Sequence, residues 1–291
     1  MPSKEAFAFQ PRRDAAILHF VYQLGIADVE LIARFVERSY HIVYKRVAKL
    51  EAQGYVSRIT KQPEKGIWQL GHAAAEVLIE QGWAPETIAR RRLRANELKP
   101  LGRAHALFIA YIHARILNGT KRRPEKIALW RQDQGTWDKA PWTDDNGSRT
   151  LPVRPDAYFV IEHTGRPEGK NRLHFFLEAD RSTMDVNERM AAKLKAYRAY
   201  HNEHRFEKKY PGMESFRVIV VTKTRRRAES LETGLAYLLP TANLKRAYRF
   251  MPFEDLSLDA LLPKAGDNSL TLSEGSVNFR QTLEAESHGT K

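Results

Sequence analysis

Apolar residues return at helical spacing three times near the start of the chain. Ala15, Ile17, Leu18, Val21 and Leu24 make the first stripe, which Gly25 ends. Val29, Leu31, Ile32, Phe35 and Val36 make the second, with Asp28 placed to cap it. Val43, Val47 and Leu50 make the third, with Ser39 before it and Gly54 after it. The rhythm then shortens. Residues 55–59 and 67–70 read as two short strands, joined by a connection that carries Lys61, Pro63 and Lys65. Three helices and a basic-tipped hairpin predict a winged helix-turn-helix. A further apolar stripe, Ala75, Val77, Leu78 and Ile79, predicts another helix over 72–81.

The pattern breaks at Gly82. Trp83, Ala84 and Pro85 start a linker that contains the dense basic run Arg90, Arg91, Arg92 and Arg94. Such a run serves either as a solvated helix face or as a phosphate-gripping bridge. Helical spacing resumes from Leu101 to Leu117 through Leu107, Phe108, Tyr111, Ile112 and Ile116. His105 and His113 lie on that helix and read as structural hydrogen-bonders. A strand near 127–131 and an irregular loop turning at 144–147 follow. Two strongly β-prone runs then appear, 154–161 and 174–180, around a Gly-, Pro- and Asn-bearing connection over 163–171. A helix over 184–200, a doubly covered strand over 216–222, a helix over 225–238 and a strand near 248–251 complete the order. Helix, three strands, helix, strand predicts a mixed sheet with helices on its faces, an α+β or α/β domain. The expected organisation is 1–82 for the winged helix, 83–100 for the basic linker, 101–263 for the sheet domain and 264–291 for a polar, mobile tail.

Composition narrows the partners. The 291 residues carry 48 Lys and Arg against 35 Asp and Glu, a formal charge of +13. Such a balance suits a polyanion, most often nucleic acid. On the third helix Tyr40, His41, Tyr44, Lys45, Arg46 and Lys49 lie off the apolar stripe. Together with Lys61 and Lys65 they are the expected DNA-facing set, with a solvated face used for protein docking as the alternative. No cysteine is present, which excludes thiol catalysis, disulfides and cysteine-bound zinc. No apolar run approaches the length of a membrane span and the first residues do not form a signal peptide, so a cytoplasmic location is expected.

The candidate chemistry sits on the two β-prone runs. Asp156 opens one; Glu178 and Asp180 close the other, two apart and therefore on one face of a strand. Carboxylates converging at one end of a hairpin repel one another unless a cation sits among them. Oxygen donors alone suit Mg²⁺ or Mn²⁺. Lys193 follows on the next helix, and Tyr197 stands four residues after it on the same face. Lys193 is placed to meet phosphate or water; Tyr197 reads as core packing or as a covalent nucleophile.

Pro155-Asp156 opening one strand and Glu178-Ala179-Asp180 in the next resemble the core of the PD-(D/E)XK nuclease superfamily, whose carboxylates hold metal and whose lysine handles water. Asp180 stands where that lysine belongs, and Lys193 is the candidate for the displaced cation. The winged helix, Arg154-Pro155-Asp156, the segment Leu177 to Thr183, Lys193 and Tyr197 together are similar to the replication-relaxation family, which includes C-type mobilisation relaxases. The resemblance implies metal-dependent, site-specific DNA nicking at a plasmid or integrative-element origin. The partners it implies are DNA, other mobilisation or replication proteins and a second copy of the chain. The alternative is a non-catalytic DNA-binding accessory factor or repressor with a degenerate nuclease domain.

Overall fold

The computed structural model describes residues 8–59, 66–82, 100–132, 134–144, 147–181 and 186–262. Lys61, Lys65, Arg90, Arg91, Arg92, Arg94, the linker over 83–99, a Thr183 helix cap and the tail over 264–291 lie outside those residues. The chain divides into two compact units, Met1–Ala114 and Arg115–Lys291. The expected boundary lay near residue 100 instead. The helix running from Pro100 to Gly119 is bonded to other residues of the first unit through Arg103 and Tyr111. Tyr111 Oη donates to Asp28 at 2.8 Å, and Arg103 donates to the Ile59 carbonyl.

In the first unit, α1 is Pro11–Leu24, α2 Val29–Val36, α3 Tyr40–Ala52 and α4 Ala74–Glu80. Gly25, at a φ of 80°, terminates α1 as the sequence suggests. Asp28 caps α2 by accepting from the Leu31 N–H at 2.9 Å. Ser39 occupies the position before α3 in an extended conformation, but its side chain makes no capping bond. The strands β2, Val56–Arg58, and β3, Ile67–Leu70, pair antiparallel as expected. A two-residue strand, β1 (Ala27–Asp28), joins the far edge of β3 and gives the order β1-β3-β2. It was invisible in the pattern because two residues carry no periodicity. Gly71 is required where β3 ends. A Cβ there would lie 2.0 Å from the Gly54 carbonyl oxygen, so the chain crosses itself at backbone distance. The core joins Ile17, Leu18, Phe20 and Val21 to Leu31, Ile32, Val47, Leu50 and the fully buried Trp68.

The second unit is built on a five-stranded mixed sheet in the order β10-β9-β8-β7-β4. Here β4 is Glu125–Arg131, β7 Ala157–His163, β8 Arg172–Asp180, β9 Arg217–Thr222 and β10 Tyr248–Pro252. β4, β7 and β8 form an antiparallel meander; β8, β9 and β10 are parallel, which requires the helical crossovers between them. Those helices are α6, Ala191–Asn202, followed by the short α7, Arg205–Lys209, and then α8, Arg225–Gly234, and α9, Ala242–Ala247. Here α5 denotes Pro100–Gly119, and α10, Leu258–Leu261, ends the described chain.

One sheet face, through Tyr158, Val160, Phe176, Val218 and Val220, packs on Leu194, Tyr197 and Tyr200 of α6 and Leu231 of α8. The other face carries Phe159, Phe175, Leu177, Ile219 and Val221, all buried. Cover on both faces explains why β7, β8 and β9 read as continuous apolar runs. One expectation fails here. The segment read as an irregular loop is a hairpin, β5 (Asp138–Asp144) and β6 (Gly147–Val153), lying against α6. Pro141, Pro152 and the alternation of Thr, Ser and Arg hid it, since prolines are depleted in interior strands but tolerated where each strand has an unpaired edge, as in this two-stranded ribbon.

Candidate functional site

The site grows from the strand directions. β8 and β9 run parallel and end together, with Asp180 opposite Thr222. β7 runs the other way, so its first residues lie beside the last residues of β8, with Ala157 opposite Leu177. The carboxyl ends of parallel strands are where α/β sheets bind ligands. Asp156 is fixed there by two bonds that bracket Glu178. Its N–H donates to the Leu177 carbonyl at 3.0 Å, and its Oδ2 accepts from the Ala179 N–H at 2.8 Å.

Glu178 points into the face covered by α6 and is 1% exposed. Two side chains one turn apart on α6 meet it. Lys193 donates to Oε2, and Tyr197 donates through its hydroxyl to Oε1 at 2.6 Å. Burial pushes the Glu178 carboxyl up to about 7; the Lys193 charge opposes the rise and the Asp156 charge adds to it. Burial acts to lower the Lys193 ammonium, but Glu178, Asp156 and Asp180 outweigh it and hold it above its ordinary value. Tyr197 is raised well above the usual phenol range by burial first and by Glu178 second. It is a protonated, fully enclosed donor, an arrangement opposed to the covalent-nucleophile role considered for it from sequence. Lys193 keeps 30% of its side chain in water, so it forms the open side of the cluster.

Asp180 is buried beside this group but turned to a different partner. Its Oδ2 accepts from Arg227 Nε of α8 at 2.6 Å. Arg227 was missed in the sequence; the signal was the run Arg225-Arg226-Arg227 directly after a doubly covered strand. Among the described residues no three carboxylate or histidine side chains are grouped to hold a metal ion. Asp156 lies near enough to Glu178 at the sheet end for its charge to act on that carboxyl, and oxygen donors are the ligand type a hard divalent ion takes. Asp180, occupied by a guanidinium, does not complete such a set as it stands. His113 is buried within α5, and His105 lies on the same helix at intermediate exposure, away from these carboxylates in sequence and in unit.

The expected DNA face in the first unit is partly reassembled. Tyr40, His41, Lys45 and Lys49 are exposed along α3, and Tyr44 is half-buried, its ring edge on Trp68. Tyr40 and Tyr44 lie nearly parallel with centroids 6.3 Å apart, and Ile42 beside them is 53% exposed. Arg46 leaves the set. It is 8% exposed, and its guanidinium clamps the fully buried Asp14 through Nε at 2.7 Å and through Nη2, while Nη2 also donates to the Ala8 carbonyl at 2.8 Å. The sequence reading set Arg46 off the apolar stripe, but it lies on the buried face with Val43, Val47 and Leu50, and the buried Asp14 on α1 was not foreseen as its partner.

A family profile described as Replication-relaxation matches residues 18–215. The match takes in more than half the chain, running from α1 past α6. The protein belongs to the replication-relaxation family. Within the span this family member carries α3 and every residue of the Asp156, Glu178, Lys193 and Tyr197 cluster; Arg227 lies beyond it. Membership suggests a role in replication or mobilisation of DNA, and with it an interaction with DNA. No curated protein and no solved structure matches the chain. No helix among the described residues is long and apolar enough to cross a membrane.

Proposed function

We propose that this replication-relaxation protein is a DNA-strand nickase of the kind that serves an origin of transfer or replication. In this proposal the first unit is a winged helix that reads duplex DNA, and the second is a PD-(D/E)XK-like nuclease domain. The observation that carries the catalytic half is the convergence of Lys193 with Asp156 and Glu178 at the shared ends of β7 and β8. A lysine one residue beyond the second carboxylate's neighbour is lacking, since Asp180 stands there, yet a cation from α6 reaches the same carboxylate. The strand order, a meander of three followed by parallel strands reached through helices, supports the same assignment.

Asp156 and Glu178 would hold Mg²⁺ or Mn²⁺, which when bound neutralises phosphate charge and makes water more acidic. The chain's own groups do the rest. Tyr197 keeps Glu178 aimed by donating to Oε1. Lys193, on the wet side, leaves Oε2 for the scissile phosphate or for the attacking water, where a cation offsets the charge that develops. Arg227 pairs with Asp180 and offsets its charge, so the direct partner of Lys193 is Glu178. Water is the nucleophile, since the one base that Tyr197 is bonded to among the described residues is the buried carboxyl that it serves.

In the first unit Tyr40, His41, Lys45 and Lys49 present cations and rings from one helix face, as a major-groove reader requires. A second reading draws on the saturation of Glu178 by Lys193 and Tyr197 and on the Arg227 lock on Asp180. Under it the domain binds DNA without cutting. Supercoiled plasmid bearing the cognate origin separates the two. Open circles formed with Mg²⁺ or Mn²⁺, lost in Asp156→Ala with duplex binding kept, support the nickase. Specific binding with no cleavage under any divalent ion favours the accessory factor.

A further inference from the structure

The base of the β5–β6 hairpin carries a feature that the catalytic cluster does not use. Trp137 precedes β5 and Arg154 follows β6, and the first ladder pair between them is Asp138 with Val153. The Trp137 ring is 42% exposed and makes no ring–ring contact among the described residues. The Arg154 guanidinium lies over that ring, 5.0 Å from its centroid. Arg154 is exposed and has no carboxylate partner among the described residues. Lys209 donates to the Trp137 carbonyl, and Lys139 is exposed two residues along the chain. Trp137 keeps 42% of its surface in solvent, a large share for so bulky a side chain.

The location gives it a use. Arg154 stands two residues before Asp156 in the chain, so their Cα atoms are at most about 7 Å apart. A strand whose phosphate reaches Asp156 and Lys193 therefore passes the hairpin base within one or two nucleotides. Aromatic faces flanked by guanidinium and ammonium groups bind unpaired bases, because every base has a π face and each is tethered to a phosphate. Paired bases are stacked already and present only edges, so a duplex gains nothing from the ring.

We propose that Trp137 and Arg154 form a stacking platform for an unpaired base of single-stranded DNA next to the Asp156 site. Trp137 stacks the base, and Arg154 meets the adjoining phosphate. The proposal rests on the second unit handling DNA, but not on its cutting DNA. It assigns the substrate class: the scissile strand is taken unpaired.

The test is equilibrium binding of full-length protein in EDTA to labelled dT12, to an abasic 12-mer and to a closed DNA hairpin duplex. Trp137→Ala should weaken dT12 by at least about fivefold, Trp137→Phe should restore most of the loss, and the abasic and duplex affinities should be unmoved. Arg154→Ala should lower the salt slope for dT12 by about 0.7, the single-strand value for one phosphate contact. Equal dT12 binding by Trp137→Ala and wild type, or equal losses on dT12, abasic strand and duplex, would overturn the platform. Tighter binding of rU12 than dT12 with the same dependence on Trp137 would overturn the DNA assignment. Because EDTA removes cleavage, the outcomes are separable. A protein that never nicks but shows the Trp137 pattern keeps the platform and loses the nickase; the opposite result sinks the platform alone.

Discussion

Replacing Glu178 by Gln isolates the ionisation at the centre of the site. Glu178 is buried, and its carboxyl is pushed up to about 7 against 4.5 for the free group. The sign follows from proton counts. Between those two values the folded protein holds a proton that the unfolded chain has released, so stability falls as pH rises through that window. A group raised in this way contributes fully below the unfolded value and loses its contribution as pH passes the folded one. The gap of about 2.5 pH units corresponds to about 3 kcal/mol. Glutamine is neutral at all pH values and nearly the same shape, so it mimics the protonated acid. Wild type and Glu178→Gln should therefore be about equally stable at pH 4.5, and the variant should be the more stable by about 3 kcal/mol at pH 8. Urea unfolding in metal-free buffer with EDTA at the two pH values measures this, following the aromatic signal of the second unit. Shifts shared by both proteins cancel in the difference, among them those of His174 and His201, which burial lowers to about 4. A gap that does not change with pH would refute the raised carboxyl. A gap that changes in favour of wild type at pH 8 would mean that Lys193 outweighs burial.

The buried Asp14–Arg46 pair should be structural: Arg46→Ala should cost about 3–5 kcal/mol by stranding Asp14, measured by denaturant unfolding of the first unit. Lys45→Ala and Lys49→Ala should leave stability within about 0.5 kcal/mol and each reduce the duplex salt slope by about 1, since each would lose one phosphate contact. Asp28→Ala removes both the α2 cap and the Tyr111 bond, so a loss of about 1–2 kcal/mol is expected, with no change in nicking. Tyr197→Phe should slow but not abolish nicking, and denaturing gels should show no covalent protein–DNA adduct for either protein; loss of all activity together with loss of an adduct would restore the tyrosine nucleophile.

Much of this was legible in the residues, and the exceptions share a cause. The helices α1 to α3 and the strands β7 to β9 announced themselves because burial on one face or on both imposes a period or an unbroken run. Lys193 reads as a cation on the next helix placed to meet phosphate or water, and Asp156 and Glu178 could be set at one end of a hairpin from strand direction. Contacts between elements far apart in sequence could not. Arg46 looked like a groove-reading cation because nothing in its own helix reveals Asp14, 32 positions earlier. Asp180 looked like a third metal ligand because Arg227 lies 47 residues away. The β5–β6 ribbon escaped because its exposed face mixes Thr, Ser, Arg and Pro, with no alternation strong enough to mark it. Trp137, read as loop, gained meaning only once the hairpin set it across from Arg154.

A crystal structure of the protein soaked in Mn²⁺, phased for anomalous signal, tests the central claim most directly. A peak bonded to Asp156 and Glu178, with Lys193 displaced toward solvent, is the predicted result. Saturating Mn²⁺ with no peak at the sheet end, and Lys193 still seated on Glu178, would contradict it.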